Sequence, residues 1–469
     1  MGAEGKDALA TDKRQQDVMS GPKWTQAKVP GLARLLERRV QIHPQLVDLM
    51  DLVSVRQLSL RLTQDETIPK LDAVIWNAGM GGWDGLNWPM AVWHVLTDTV
   101  EATTRPVYKI GVVGGVCKKI GVRYPKEDSA GARSDGNQKI THGTRQDDDD
   151  EPPLGEIFTS NVFGHYMLGH WLVPLLSQGL CRRGGRMIWV GSLEADTAPF
   201  DANVDRDIQA LKSNVAYEDL KRLSDILALT ADLPSTKRWT DSYFSSSPSP
   251  TQTIPASIPQ SQRTTNATTS RPHMQLTHPG IFGSTILPIP SILIPFMNLA
   301  FYLARLLGSI WHPVTPYKAA TAPVWVALTE GSVLGEPDDD DDEPMARRGK
   351  SKWGSATDVW GNERVERTEV DGWGLDGTVP EDEEQVVRAR SGEEDEKEPL
   401  LEQQQVVVRR RRKGRWRNAV DLTEERRIEF EEVGRKCWSA MEELRVEWEE
   451  RVEAVIERLD AGGKGGKSS

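Results

Sequence analysis

Tyr217 and Lys221 lie four residues apart in the run Ala-Tyr-Glu-Asp-Leu-Lys, residues 216–221. On a helix that spacing projects both side chains from one face. A free phenol titrates near about 10 and is a poor acid at neutral pH. An ammonium one turn away favours the phenolate, and so makes the phenol a better proton donor to a carbonyl. Upstream, the apolar run Met187-Ile-Trp-Val-Gly-Ser192 reads as a buried strand with a hydroxyl at its end. A serine at a strand end, with a tyrosine and a lysine one helical turn apart, suits hydride chemistry at a carbonyl. Tyr-x-x-x-Lys alone is a common and mostly structural spacing. A third element narrows the choice: Leu71-Asp-Ala-Val-Ile-Trp-Asn77-Ala78-Gly79 is a strand running into small residues that let a backbone approach a ligand closely.

The elements around these residues alternate. Residues 41–48 form a strand-like run, and residues 52–62 have helical apolar spacing. Residues 71–75 and 185–190 read as strands, and residues 274–277 as a last short strand. Residues 155–176 form a long apolar helix that contains Asn161. Residues 215–230 form the helix of Tyr217 and Lys221, with Leu220, Leu223 and Leu227 on its apolar side. Such alternation predicts an α/β fold, a Rossmann-like doubly wound sheet of mostly parallel strands. Ligands in these sheets bind beyond the carboxyl ends of the strands, where Asn77, Ser192 and the Pro279-Gly280 pair all fall.

The chain has 469 residues and a formal net charge of -12, which argues against general nucleic-acid binding. Its three cysteines, Cys117, Cys181 and Cys437, have no metal spacing and suit a reducing compartment. His165 and His170 are not an i, i+4 pair, so they read as ordinary helix residues, and no metal site is expected. Asn266-Ala-Thr268 matches a glycosylation acceptor but reads as a chance match, because no apolar signal segment opens the chain.

Composition divides the chain into a polar segment at 1–36, a main domain at 37–330, a charged and mostly disordered region at 331–418, a helix at 419–460 and a flexible tail at 461–469. Flexible insertions are expected at 125–153 and 234–270. Residues 286–304 carry no charge over about the length of a membrane span, but Pro288, Pro290 and Pro295 would damage a straight helix. The segment near 286–311 therefore reads as an interfacial element at the mouth of a pocket, with buried core and a true span as the alternatives. In the last helix Val433, Cys437, Met441, Leu444, Trp448, Val452 and Val455 make a narrow apolar stripe, suited to docking on the main domain or to coiled-coil pairing.

Strand-Asn-Ala-Gly, then strand-Ser, then Tyr-x-x-x-Lys, in that order, resembles the short-chain dehydrogenase/reductase family. Longer segments look like its fungal 3-keto-steroid reductases of ergosterol synthesis. They are residues 77–88, 161–170, Thr277-His-Pro-Gly280, Trp311-His-Pro-Val-Thr-Pro-Tyr-Lys318, Lys352-Trp-Gly-Ser-Ala-Thr-Asp358 and Ala419-Val-Asp-Leu-Thr-Glu-Glu425. The resemblance implies NADPH-dependent reduction of the 3-keto group of a sterol, for example zymosterone to zymosterol. It implies Tyr217 as proton donor, Ser192 on the carbonyl oxygen, Lys221 lowering the Tyr217 pKa, and Asn161 holding a relay water. Asp48, Asn77, Ala78, Gly79, Pro279, Gly280, Ile281, Ser284 and Thr285 would line the cofactor. Trp83, Trp88 and the 281–311 region would wall the sterol. The resemblance further implies the cytoplasmic face of the endoplasmic reticulum membrane or lipid droplets, and partnership with the other C-4 demethylation enzymes and the oxidosqualene cyclase. The family opens with a strand and a Thr-Gly-x-x-x-Gly-x-Gly turn, and no such element stands before Asp48. The sheet is therefore expected to lack its first strands. The alternatives are a catalytically impaired scaffold for sterol-pathway enzymes and a reductase with a rearranged cofactor site.

Overall fold

The computed structural model describes residues 41–120, 151–178, 184–197, 200–245, 270–284, 286–287, 289–334, 349–379 and 414–465. Helix α1 (Leu52–Gln64) starts where the Asp51 carboxylate accepts the Val53 amide, and it buries Leu52, Val55 and Leu58 on one face. Strand β1 (Ala73–Trp76) follows, then β2 (Trp83–Leu86), α2 (Trp88–Thr97), α3 (Thr99–Thr104) and β3 (Lys109–Gly111). Asn87 and Asp98 cap α2 and α3 by accepting the amides of Met90 and Glu101. A π-helical turn (Thr159–Phe163) leads into α4 (Gly164–Leu176). Next come β4 (Arg186–Val190), α5 (Ala216–Thr230), α6 (Lys237–Phe244), β5 (His273–His278), α7 (Ile294–Leu306), α8 (Thr321–Leu328), β6 (Lys352–Thr357), β7 (Glu363–Thr368) and α9 (Glu424–Gly465).

Five strands form one sheet in the order β1-β4-β5-β6-β7, and β2 pairs with β3 in a separate ribbon. β1, β4, β5 and β6 run parallel, with Ile75 opposite Ile188 and Leu276 opposite Lys352. β7 returns antiparallel to β6, so the sheet is mixed. Alternation along β4 separates the two faces. Met187 and Trp189 join a core with α1, α4, α5, α6 and α9, whereas Ile188 packs with Trp325, Val326 and Trp353 on the face that α8 covers. Among the described residues β1 pairs with β4 alone, and Ile75 on it is 38% exposed.

Four expectations are corrected. Residues 41–48 form no strand and pair with none of the described strands. The insertion expected at 234–270 contains α6, whose Tyr243 is fully buried and donates its hydroxyl to the Tyr166 carbonyl; residues 246–269 lie outside the described residues. The strand at 274–277 is not the last. The charged region at 331–418 holds β6 and β7, in which Trp353, Ser355 and Val365 turn inward while Arg364 and Glu366 pair with each other outside. Local charge density hid them, since only the neighbouring elements bury all of β6 and the inward residues of β7.

The stripe of α9 docks on the main domain. Cys437, Trp438, Met441, Trp448 and Val452 join the principal core, and Trp438 donates its indole N–H to Thr230 Oγ1 at 3.2 Å. A buried network fixes its register: Tyr166 donates to Glu442 at 2.7 Å, and Arg445 bonds both Glu442 and Glu449.

Candidate active site

Helix α5 begins just beyond the carboxyl end of β4 and carries Tyr217, Lys221 and Asp225 at successive turns of one face. Ser192 follows β4 by two residues. Its hydroxyl lies near the Tyr217 phenol, whose pKa it lowers, and accepts the Glu194 amide at 3.2 Å. Lys221 donates to the Val190 carbonyl at 2.7 Å, and its ammonium stands 5.6 Å from the centre of the Tyr217 ring. Sequence neighbours on a strand end and a helix face thus become spatial neighbours because β4 and α5 pack directly.

Asn161 enters from the π-helical turn, a local widening of the helix that often re-aims a functional side chain. Its amide N–H groups are given to the carbonyls of Met80 and Ile157, each at 2.9 Å. Its Oδ1 is buried and has no protein partner. Gly79 lies directly against that oxygen: a Cβ there would stand 2.3 Å from it, so only glycine fits. His165, one turn on, donates Nε2–H to the Ala78 carbonyl at 2.9 Å. Burial holds its ring neutral, down to a pKa of about 4. The loop after β1 is therefore held to α4 by Asn161 and His165 together.

After β5 the chain turns at Gly280, which adopts φ +67, where a Cβ would meet the carbonyl oxygens of Ser355 and Trp311 at 2.7 and 2.9 Å. Ile281 then donates its amide to the Trp311 carbonyl at 2.7 Å, and Gly283 to that of Val314 at 3.0 Å. These bonds lace the loop onto the Trp311-His-Pro-Val stretch.

These elements enclose a cavity of about 530 Å³. One end is polar, with Asn77, Gly79, Asn161, Ser192, Glu194, Tyr217 and Lys221. The other is apolar, with Trp88, Val92, Val95 and Leu96 of α2 and Phe296, Met297, Ala300 and Phe301 of α7. Pro279, Gly280, Ile281 and Ser284 line the wall between them. Of the other expected site residues, Ala78 does not line the cavity, and its carbonyl accepts from His165. Asp48 is exposed, does not line the cavity, and accepts the Met50 amide at 3.0 Å just before α1. Thr285 lies outside the described residues.

The net shift at Tyr217 is upward, opposite in direction to the one expected from Lys221. Burial first, then the negative charge of Glu194, pushes the phenol well above its ordinary value, and the Ser192 hydroxyl opposes this only in part. Lys221 is itself pulled down to about 8 by burial, with Asp225 opposing and Lys352 adding to the shift. Three residues beside Tyr217 were not legible as site residues. Lys109 of β3 forms ion pairs with both Glu194 and Glu218. Its ammonium lies 4.0 Å from the Trp83 ring centre and 5.5 Å from that of Tyr217, and the two rings stand 4.7 Å apart. Trp83, expected as a sterol wall, is thus also a wall of Tyr217. Glu194 is raised to about 7 by burial, against the pull of Lys109 and with the push of Glu218. Glu218 follows Tyr217 and Glu194 stands two past Ser192, so proximity was a signal; Lys109 gave none, because a separate ribbon delivers it.

No protein-family profile matches the chain, and no solved structure does. Curated relatives do. A 3-keto-steroid reductase of Aspergillus fumigatus is 43% identical over 418 residues, covering 88% of this chain and 79% of that protein. One of Gibberella zeae is 36% identical over 385 residues, covering 81% and 68%. One of Saccharomyces cerevisiae is 28% identical over 332 residues, covering 70% and 71%.

Proposed function

The chain belongs to the 3-keto-steroid reductase family, and from that premise we propose that it reduces the 3-keto group of a sterol intermediate of ergosterol biosynthesis, such as zymosterone, with NADPH. One observation carries the proposal: Ser192, Tyr217, Lys221 and Asn161 meet at the polar end of a cavity whose other end is apolar. A carbonyl group on an otherwise hydrocarbon skeleton has that same polarity.

The site's own residues divide the work. The hydroxyls of Ser192 and Tyr217, both on the cavity wall, are placed to donate to one carbonyl oxygen. Tyr217 gives up its proton as that oxygen becomes an alcohol. The Lys221 ammonium beside the ring stabilises the phenolate left behind. The buried, unpartnered Oδ1 of Asn161 is an acceptor for a water that returns the proton. A bound nicotinamide cofactor supplies the hydride. Lys221, Asn77, Gly79 and the turn at Pro279-Gly280 line the cavity and would hold its nicotinamide and ribose half. Among the described residues no glycine-rich turn opening a helix is present for its pyrophosphate.

The apolar end supports a membrane source for the substrate. α7 lines the cavity with Met297 and Phe301 and exposes Phe296, Leu299, Leu303 and Leu306. Among the described residues no helix is long and apolar enough to cross a membrane. The exposed apolar face of α7 suits an interfacial element that receives the sterol at a bilayer surface.

The test is NADPH oxidation by the purified chain with a 3-ketosteroid and liposomes, with the sterol product identified by mass. Turnover is expected, falling above about pH 8 as Lys221 loses its proton. Absence of both turnover and NADPH binding would instead support a scaffold that keeps the family's shape.

A further inference from the structure

We infer that Lys352 is a positioning residue of the carbonyl-reduction site, occupying Asp225 so that Lys221 faces Tyr217, and holding the Ser192 turn in place. The inference deepens the reductase reading and rests on it.

Lys352 and Asp225 form an ion pair in which both side chains are 0% exposed. The same ammonium donates to the Ser192 carbonyl at 2.6 Å. Burying two charges costs about as much as their attraction returns, and an apolar pair of similar volume would serve stability as well or better. Stability therefore does not account for a lysine at this position of β6.

Helix geometry supplies the reason. Asp225 is one turn beyond Lys221, the spacing at which a carboxylate and an ammonium pair readily on a helix surface. Tyr217 is one turn before Lys221. Left with Asp225 alone, Lys221 would turn toward it and away from the phenol. With Lys352 on the carboxylate, Lys221 instead donates to the Val190 carbonyl and keeps its ammonium beside the Tyr217 ring. Lys352 also ties down the main chain of Ser192, whose hydroxyl meets Tyr217. One ammonium, from a strand that the proton-transfer residues do not touch in sequence, thus sets two of them.

The charged and titratable groups facing this cluster are few. Lys221 and Asp225 come from α5, together with Tyr217; His165 from α4 and His278 from β5 are both held neutral by burial. Neither histidine supplies a counter-ion that could replace Lys352.

The experiment uses the full chain with ¹³C-labelled lysine, following the ε-CH₂ resonance of Lys221, assigned by its loss in Lys221→Arg. In Lys352→Met the released Asp225 is expected to capture Lys221, moving its titration midpoint up by about one pH unit or more and lowering turnover at least about tenfold. In Lys352→Met/Asp225→Asn the carboxylate is gone, so the midpoint is expected to return toward that of the wild type and most of the rate with it. Asp225→Asn alone keeps the repulsion of Lys352, and its midpoint is expected to drop. An unchanged midpoint in folded Lys352→Met, or a double variant no better than the single one, overturns the inference. If Lys352→Met does not fold, the midpoints of Asp225→Asn and the double variant decide: equal values overturn it. If the wild type reduces no 3-ketosteroid, the reductase reading fails, while the Lys221 midpoints still test Lys352.

Discussion

Two buried groups of three charges flank Tyr217, and they are opposite in sign. In one, Lys109 stands between Glu194 and Glu218; in the other, Asp225 pairs with Lys352 and feels the charge of Lys221. The first leaves an excess negative charge beside the phenol, and the second an excess positive charge one turn further along α5. Burial raises Glu194 to about 7, against Lys109 and with Glu218, and burial with the charge of Glu194 holds Tyr217 protonated; burial brings Lys221 down to about 8, against Asp225 and with Lys352. They differ in access. Glu194 lines the cavity and can exchange a proton with whatever fills it, whereas Lys352 and Asp225 are sealed. A titratable cluster at the wall and a fixed one in the core suit different tasks: one sets the charge of the site, the other its geometry.

The comparison breaks most directly at the residue the two groups share. Tyr217→Phe removes the proton donor while leaving the ring against Trp83. Turnover of a 3-ketosteroid is expected to fall by ~10²–10⁴-fold with the circular dichroism spectrum unchanged. A smaller loss would mean that the acidic group surrounds a structural tyrosine.

The centre and the flank of a group are expected to differ. Asp225→Asn leaves Lys352 buried without its carboxylate and is expected to cost roughly 3–5 kcal/mol in urea denaturation. Glu218→Gln leaves Lys109 paired with Glu194 and is expected to cost under about 1 kcal/mol. Equal costs would show that the two groups are not organised around their central ions.

Glu194→Gln sharpens the contrast through pH. The carboxyl titrates at about 7 in the folded chain against an ordinary 4.5, so the folded state binds more protons between those values. Stability of the wild type must then fall as pH rises through that window. Relative to Glu194→Gln, the wild type is expected to lose roughly 1–3 kcal/mol between pH 4.5 and 7, read from denaturation curves of both proteins. A difference of the other sign would mean that Lys109 dominates the carboxyl.

The smallest effect on stability is expected at the other end of the cavity. Leu303 on α7 is 43% exposed, so Leu303→Gln should change folding by less than about 0.5 kcal/mol. Its sedimentation with liposomes should nonetheless fall several-fold if α7 lies on a bilayer.

Residues that act through local spacing are legible in the amino-acid order. Tyr217 and Lys221 are one helical turn apart, Ser192 ends an apolar run, and Asn77-Ala78-Gly79 ends another; each relation is a property of one element. The long helix with Asn161 and the docked stripe of α9 follow from the same periodicity, although the π-helical turn that aims Asn161 does not. β6 and β7 are lost among charges because an inward side chain is defined by a neighbouring strand and not by its own segment. α6 is lost for a similar reason, since the burial of Tyr243 depends on Tyr166 and α9.

The amino-acid order by itself determined which groups can pass a proton to a carbonyl, because helix pitch and strand termination are local and place those groups without reference to the rest of the chain. Tertiary structure alone decided their protonation. Lys109 arrives on the β2-β3 ribbon and Lys352 on β6, from positions far from Tyr217 along the chain. The field at a buried phenol sums over everything packed around it, and burial itself, the largest contribution at both Tyr217 and Lys221, exists only once the chain is folded.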